Sequence, residues 1–305
     1  MSDLPAVLPA RQLGKSGIVA STMAWGMWRF QGDDIAAARA LVDAAFEAGI
    51  TLFDTADIYG CDTPAGFGSS ETLLGRVFAE DKSLRERMVL ATKGGIVLGV
   101  PYDQSPAYIE AAIDASLTRL GVDRIDLWQI HRPDVLAHPQ ETAAALEKAY
   151  AAGKIAAVGV SNFTVAQTQA LEAYLTTTTL QLSTTQPEYS ALCLDPLTDG
   201  TLDHAMMQNH AVMAWSPLGG GRLASPETPR DVAVAAALDE VANVCRVSRT
   251  AAAFAWIMAH PAHPIPIVGS QNVARIKESS DAYKVTWTRA SWYKVLVASR
   301  QEPLP

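Results

Sequence analysis

Four side chains in this sequence have the types and the placing to deliver a proton to a carbonyl oxygen. In "GITLFDTADIYG" (49–60) an apolar run ends abruptly in Asp54, and Tyr59 follows five residues later. Lys93 closes the apolar stretch "MVLATK", and His131 closes "IDLWQIH". Hydride attack on a carbonyl carbon builds negative charge on its oxygen, which then needs a proton and hydrogen-bond donors aimed at it. A phenol, with a reference pKa of about 10, keeps its proton at neutral pH and can still give it to a nascent alkoxide. A lysine ammonium roughly 4 Å away contributes about 4 kcal/mol at an effective dielectric of about 20. At about 1.4 kcal/mol per pKa unit, that is enough to lower the phenol pKa by up to about three. In this scheme Tyr59 is the acid, Lys93 the cation beside it, Asp54 the carboxylate that holds Lys93, and His131 the group that orients the carbonyl. The chemistry needs no metal. The sequence has neither an H-E-x-x-H segment nor a His-x-His at a strand end, which argues against a metal-dependent hydrolase.

Taken singly, each residue has an ordinary reading: Asp54 as a turn or helix cap, Lys93 as a surface residue, His131 as a satisfied core histidine, Asn162 as a loop residue beside a helix cap. The elements around them are what join them. Short, near-continuous apolar runs alternate with longer segments of helical period, as buried parallel strands and their crossover helices do. The runs lie at "STMAWG", "TLFD", "MVLATK", "IDLWQIH", "IAAVGVSN", "LQLSTTQ", "AVMAWS" and "PIPIVGS". Eight strand–helix units in about 300 residues predict a (β/α)8 barrel, one domain over 1–305. "MAWGMW" lacks the G-x-G-x-x-G turn of an open dinucleotide-binding sheet. In a barrel, residues at the C-terminal strand ends converge on one mouth. These are Asp54, Tyr59 in the next loop, Lys93, His131, Ser161, Asn162, Gln186, Trp215, Ser216 and Ser270. Two short runs flanking Gly14 and Gly17 predict an N-terminal β-hairpin that caps the opposite face, and "TRASWYKVLVAS" predicts a C-terminal helix. "LDPLTDGTLDHAMMQNH" and "NVARIKESSDAY" each read as one helix.

Composition narrows the function classes. Hydrophobic residues make up 49% and charged residues 18%, so a large core is available. The net charge of -8 and the absence of a basic stripe exclude nucleic acid as the expected partner. No basic segment precedes an apolar one at the N-terminus, and "AAAFAWIMA" is too short to span a bilayer, so no membrane association is expected. Cys61, Cys193 and Cys245 form neither a disulfide framework nor a zinc spacing, which fits a cytoplasmic protein.

The sequence also resembles the aldo/keto reductase superfamily, from about Leu13 to about Ser280. The blocks that carry the resemblance are "GITLFDTADIYG", "SSETLLGRVF", "LATKGG", "SLTRLGVDRIDLWQIHRPD", "GKIAAVGVSNF", "AWSPLGGGRL" and "PIPIVGSQNVARIKES", in the family's order. "HRPD" and "GGGRL" look closer to bacterial members than to the mammalian aldose reductase type. The resemblance implies an NAD(P)H-dependent oxidoreductase of the alcohol-dehydrogenase type on a (β/α)8 barrel, with Asp54, Tyr59, Lys93 and His131 as catalytic tetrad. It further implies a cofactor site. Gly26, Met27 and Trp28 match the loop near the nicotinamide, where Asp54 also borders the ring. Ser161, Asn162 and Gln186 match the residues that bond its carboxamide, and Trp215 the aromatic stacked on it. Ser216, Leu218, Gly219, Gly220 and Gly221 match the loop around the pyrophosphate, where glycines let backbone N–H groups come close to phosphate. Ser270 and Arg275 match groups that hold the 2'-phosphate, and Glu278 and Ser279 those near the adenine. NADPH is therefore expected rather than NADH, although Gly269 stands where many members have lysine and Ser279 where many have asparagine. The substrate is a small-molecule carbonyl, with Phe67, Tyr102 and Arg132 as candidate pocket residues; Arg132 could instead pair with Asp134. A monomer is the default, and aromatics near the C-terminus (Trp287, Trp292, Tyr293) leave a homodimer open. The alternative function is a cofactor-sensing subunit with negligible turnover, against which the complete tetrad argues.

Overall fold

The structure, a computed structural model, describes residues 3–175 and 180–304. Eight parallel strands close into a barrel: β1 (Ala24–Gly26), β2 (Leu52–Asp54), β3 (Val89–Gly94), β4 (Ile125–Ile130), β5 (Ile155–Ser161), β6 (Leu182–Gln186), β7 (Ala211–Ala214) and β8 (Ile265–Val268). Each pairs with its sequence neighbour, and β8 pairs with β1 to complete the ring. The strands are buried on both faces, which is why they read as continuous apolar runs. Around them lie α1 (Ile35–Glu47), α2 (Ser69–Glu80), α3 (Pro106–Leu120), α4 (Pro139–Ala151), α5 (Val165–Leu175), α6 (Thr201–Gln208), α7 (Pro229–Cys245), α8 (Arg249–Met258), α9 (Val273–Glu278) and α10 (Arg289–Arg300).

Local chemistry sets the helix ends. Ser105 accepts a hydrogen bond from the Tyr108 amide, Pro106 opens α3, and Gly121 closes it in the left-handed region. Two expected helices are shorter than their patterns. Residues 194–210 split into a 3-10 turn, Asp195–Leu197, and α6, because Pro196 starts the first piece and Gly200, at φ 87°, breaks the chain before the second. After α9 the chain tightens into a 3-10 turn, Ser279–Lys284.

The hairpin is present: Ala10–Gln12 pairs antiparallel with Val19–Ser21. Its turn carries Leu13, fully buried, into the floor of the barrel among Ala24, Leu52, Ala91, Leu127, Ala157 and Ala211. The barrel is thus plugged from below and open above. Two of the three C-terminal aromatics are packed inside the fold rather than exposed. Trp292 of α10 stacks on Trp256 of α8, with ring centroids 4.8 Å apart, and each indole N–H donates to the other's backbone oxygen. Trp287 is buried as well, so of the three only Tyr293 is exposed. The Trp256–Trp292 stack docks the last helix on the barrel.

Candidate active site

Asp54 ends β2 with its side chain inside the barrel, and the register sets it opposite Ala91, two residues below Lys93 on the inward face of β3. Lys93 Nζ donates to Asp54 Oδ2 at 2.7 Å and to the Thr55 carbonyl at 2.8 Å. The other carboxylate oxygen, Oδ1, accepts from Gln129 Nε2 and Gln186 Nε2, both at 3.2 Å. Both members of the ion pair are buried. Burial alone would lower the Lys93 pKa; the Asp54 carboxylate outweighs it and the net shift is upward, so Lys93 stays an ammonium.

That ammonium lies 5.1 Å from the centroid of the Tyr59 ring, and the ring meets His131 edge-on at 5.8 Å. Tyr59 and His131 are half-buried, so both can reach a ligand in the mouth. The balance at Tyr59 differs from the sequence-based expectation. Loss of hydration raises the phenol pKa, Lys93 lowers it, Asp54 raises it again, and the net direction is up. The phenol is therefore more firmly protonated than a free tyrosine, and Lys93 limits the rise rather than producing a fall. His131 is shifted well below its usual range by burial first, then by the Lys93 and Arg132 charges. It is a neutral imidazole, with one N–H to give and one lone pair to accept.

The turn that presents Tyr59 needs Gly60. At φ 93°, a side chain there is strained, and its Cβ would overlap Ser69 Oγ at the start of α2. Two residues before Tyr59 the turn also buries Asp57, which sequence reasoning missed. Its amide donates to the Lys93 carbonyl, its Oδ2 lies 3.5 Å from the Tyr108 hydroxyl, and its Oδ1 has no partner among the described residues. Burial and the nearby Glu71 charge push its pKa up to about 8, against a smaller opposing pull from Arg119. The folded protein therefore holds a proton that the unfolded chain has lost, and stability falls as pH rises from about 4 to about 8, by up to about 1.4 kcal/mol per unit. Asp57→Asn, which keeps the shape without the charge, should gain on the parent through that window and keep a constant advantage above it. Urea denaturation of both proteins across pH 5–9 measures the gap; a gap that does not change with pH would refute the buried acid.

The residues expected around a cofactor lie at the same mouth in several states. Trp215 follows β7; its indole N–H donates to Asn162 Oδ1 at 2.9 Å, and the Arg132 guanidinium lies 5.9 Å from its ring centroid. Asn162, held at φ 60°, gives its two amide hydrogens to the His131 carbonyl and to Ser161 Oγ. Ser161 Oγ in turn donates to the Gln186 carbonyl. Ser161 and Gln186 are buried, and the Gln186 amide is spent on Asp54. Gly26 accepts from Gln271 Nε2, and Met27 is buried in the core, its N–H donated to the Asp54 carbonyl. Trp28 is exposed and carries Arg29 on its face. Ser216 sits at φ 53°, and Ser216 and Leu218 hold the turn of Gly219, Gly220 and Gly221. All three glycine amides are donated within that turn, to Ser216 O, Ser216 Oγ and Leu218 O, so the phosphate cradle expected from them is not preformed. Ser270 is half-buried, Arg275 and Glu278 are exposed, and Arg275 has no ion-pair partner among the described residues. Ser279 does not join them: it is buried and donates its hydroxyl to the Ile276 carbonyl. Arg132 faces Trp215 rather than Asp134, whose carboxylate caps the Gln104 and Leu136 amides. Phe67 and Tyr102 are exposed.

An aromatic wall, a neutral imidazole, a protonated phenol backed by an ammonium and a guanidinium with no ion-pair partner among the described residues fit a nicotinamide dinucleotide. The family model for the aldo/keto reductase family matches residues 22–295. The chain belongs to the aldo/keto reductase family. It is an oxidoreductase, 59% identical over 307 residues to 6-dehydroglucose reductase of Novosphingobium aromaticivorans, with both chains fully covered. It is 38% identical over 288 residues to 6-dehydroglucose reductase of Agrobacterium fabrum, across 90% of this chain and 93% of that one. L-glyceraldehyde 3-phosphate reductase of Escherichia coli is 34% identical over 221 residues, covering 70% of this chain and 62% of the other. No helix among the described residues of this oxidoreductase is long and apolar enough to cross a membrane.

Proposed function

We propose that this oxidoreductase reduces an aldehyde to a primary alcohol with NADPH, and that its substrate is 6-dehydroglucose or a closely similar aldehyde sugar. The reaction rests on one observation: a buried Lys93–Asp54 pair directly behind a protonated tyrosine, beside a neutral histidine. The substrate rests on full-length identity of 59% to a relative bearing that name. A bound nicotinamide supplies the hydride. This chain supplies the rest. His131 donates a hydrogen bond to the carbonyl oxygen and fixes its direction. Tyr59 gives that oxygen its proton as charge builds on it. Lys93 then stabilises the phenolate left behind, and Asp54 keeps Lys93 charged and in line. Trp215, pinned through Asn162, walls the mouth on the cofactor side. Arg275, exposed and unpaired among the described residues, supplies a cation for the 2'-phosphate.

Loss of nicotinamide absorbance with 6-dehydroglucose, run with NADPH and with NADH, tests both parts. NADPH should be preferred by at least about tenfold, which corresponds to about 1.4 kcal/mol, and Arg275→Ala should erase most of that preference. No turnover of the sugar aldehyde alongside turnover of other aldehydes would sink the substrate and leave the chemistry. Equal use of both cofactors would sink the role of Arg275.

A further inference from the structure

At the end of the barrel opposite the mouth, three side chains that the reaction does not use come together. Glu172 lies late in α5, His204 in α6, and His210 immediately before β7. Glu172 Oε2 is 3.1 Å from His204 Nε2, and Glu172 Oε1 is 2.9 Å from His210 Nε2. The three candidate donor atoms all lie within 4.8 Å of one another. Both imidazoles are buried, at 6% and 4% exposure. His204 Nε2 lies 3.1 Å from the carboxylate yet makes no hydrogen bond to it or to any other described residue.

We propose that Glu172, His204 and His210 form a site for a zinc-class divalent cation that ties α5 to α6 and the start of β7. Two imidazoles and one carboxylate make a common three-ligand set for zinc, with a fourth position left to water. Metal–ligand distances of about 2.0–2.2 Å put neighbouring donors of a tetrahedral ion roughly 3.3–3.5 Å apart. The two imidazole–carboxylate separations, 3.1 and 2.9 Å, reach that range by opening a few tenths of an ångström, and the two imidazole nitrogens, within 4.8 Å of each other, would close around the ion. The donors also balance chemically. No lysine or arginine pairs with Glu172 among the described residues, so its half-buried carboxylate faces two imidazoles without a countercharge. A divalent ion would neutralise that charge and take the otherwise idle lone pair of His204 Nε2. The site is remote from Tyr59 and acts on the scaffold, not on the reaction.

The test uses full-length protein stripped with a chelator and titrated with Zn²⁺ alone against a chromophoric competitor. One equivalent should bind and survive gel filtration, Co²⁺ should give the visible absorption of a low-coordinate site, and Zn²⁺ should raise the melting temperature. Glu172→Gln, His204→Gln and His210→Gln should each weaken binding by about 100-fold or more, the upper end of what even an outer-shell loss costs. Circular dichroism and turnover in the absence of metal report whether each variant folds. Two results overturn the site: less than about a tenth of an equivalent bound by the parent, or binding unchanged in all three variants.

Discussion

Tyr59→Phe should lose about 10²- to 10⁴-fold in turnover, the usual contribution of a positioned proton donor, while NADPH binding survives. The ring is kept, so the edge-on contact with His131 and the packing over Lys93 remain. Only the proton leaves. Cofactor binding is read from quenching of tryptophan fluorescence, for which Trp215 at the mouth is well placed. The pH profile of the parent gives a second test. Because burial carries the Tyr59 pKa upward, the acid stays loaded through neutral and mildly alkaline pH. The rate of reduction should stay level there and fall only above about 10, the ordinary phenol value. Near-parental turnover in Tyr59→Phe, or a rate that falls between pH 7 and 9, would remove Tyr59 from the role of acid.

Lys93→Met is expected to damage both stability and turnover. It leaves the Asp54 carboxylate buried with two glutamine amides and no cation, and breaking such a pair from one side costs about 3–5 kcal/mol. For a fold whose net stability is about 5–15 kcal/mol, that is a large share. Adding Asp54→Asn removes the stranded charge, so the double variant should recover most of the stability and none of the turnover. Denaturant melts of the parent, both single variants and the double variant measure the coupling; strictly additive losses would mean that the pair is not acting as a pair.

The architecture was legible because buried parallel strands write themselves as apolar runs, and a polar residue that ends such a run has one place to go in a barrel. Asp54, Lys93 and His131 announce themselves this way, and Tyr59 follows from the short turn after Asp54. The layer beneath them is harder to read. Gln129 and Thr184 hold the carboxylate network together, with Thr184 Oγ1 donating to Gln129 Oε1, yet each is a polar residue inside a strand. The signal is a period of two: Gln129 stands two residues before His131 and on the inward face, opposite Lys93. Backbone partners such as the Thr55 carbonyl leave no trace in residue type. Asp57 looks like one more polar turn residue, because burial of its carboxyl depends on Tyr108 and α3, some fifty residues further along. The glycine turn misleads in the other direction: its composition promises open amides, and Ser216 closes them.

Asp54 stands on β2 and is bonded by side chains from β3, β4 and β6. One carboxylate thus works as a drawstring, cinching half of the barrel's circumference at the mouth end of its strands. The loops above can lengthen, shorten or change composition without loosening that ring. A lineage holding this knot, together with the Gly60 turn that presents Tyr59, is free to retailor the rest of its mouth, and the proposed acid stays in register.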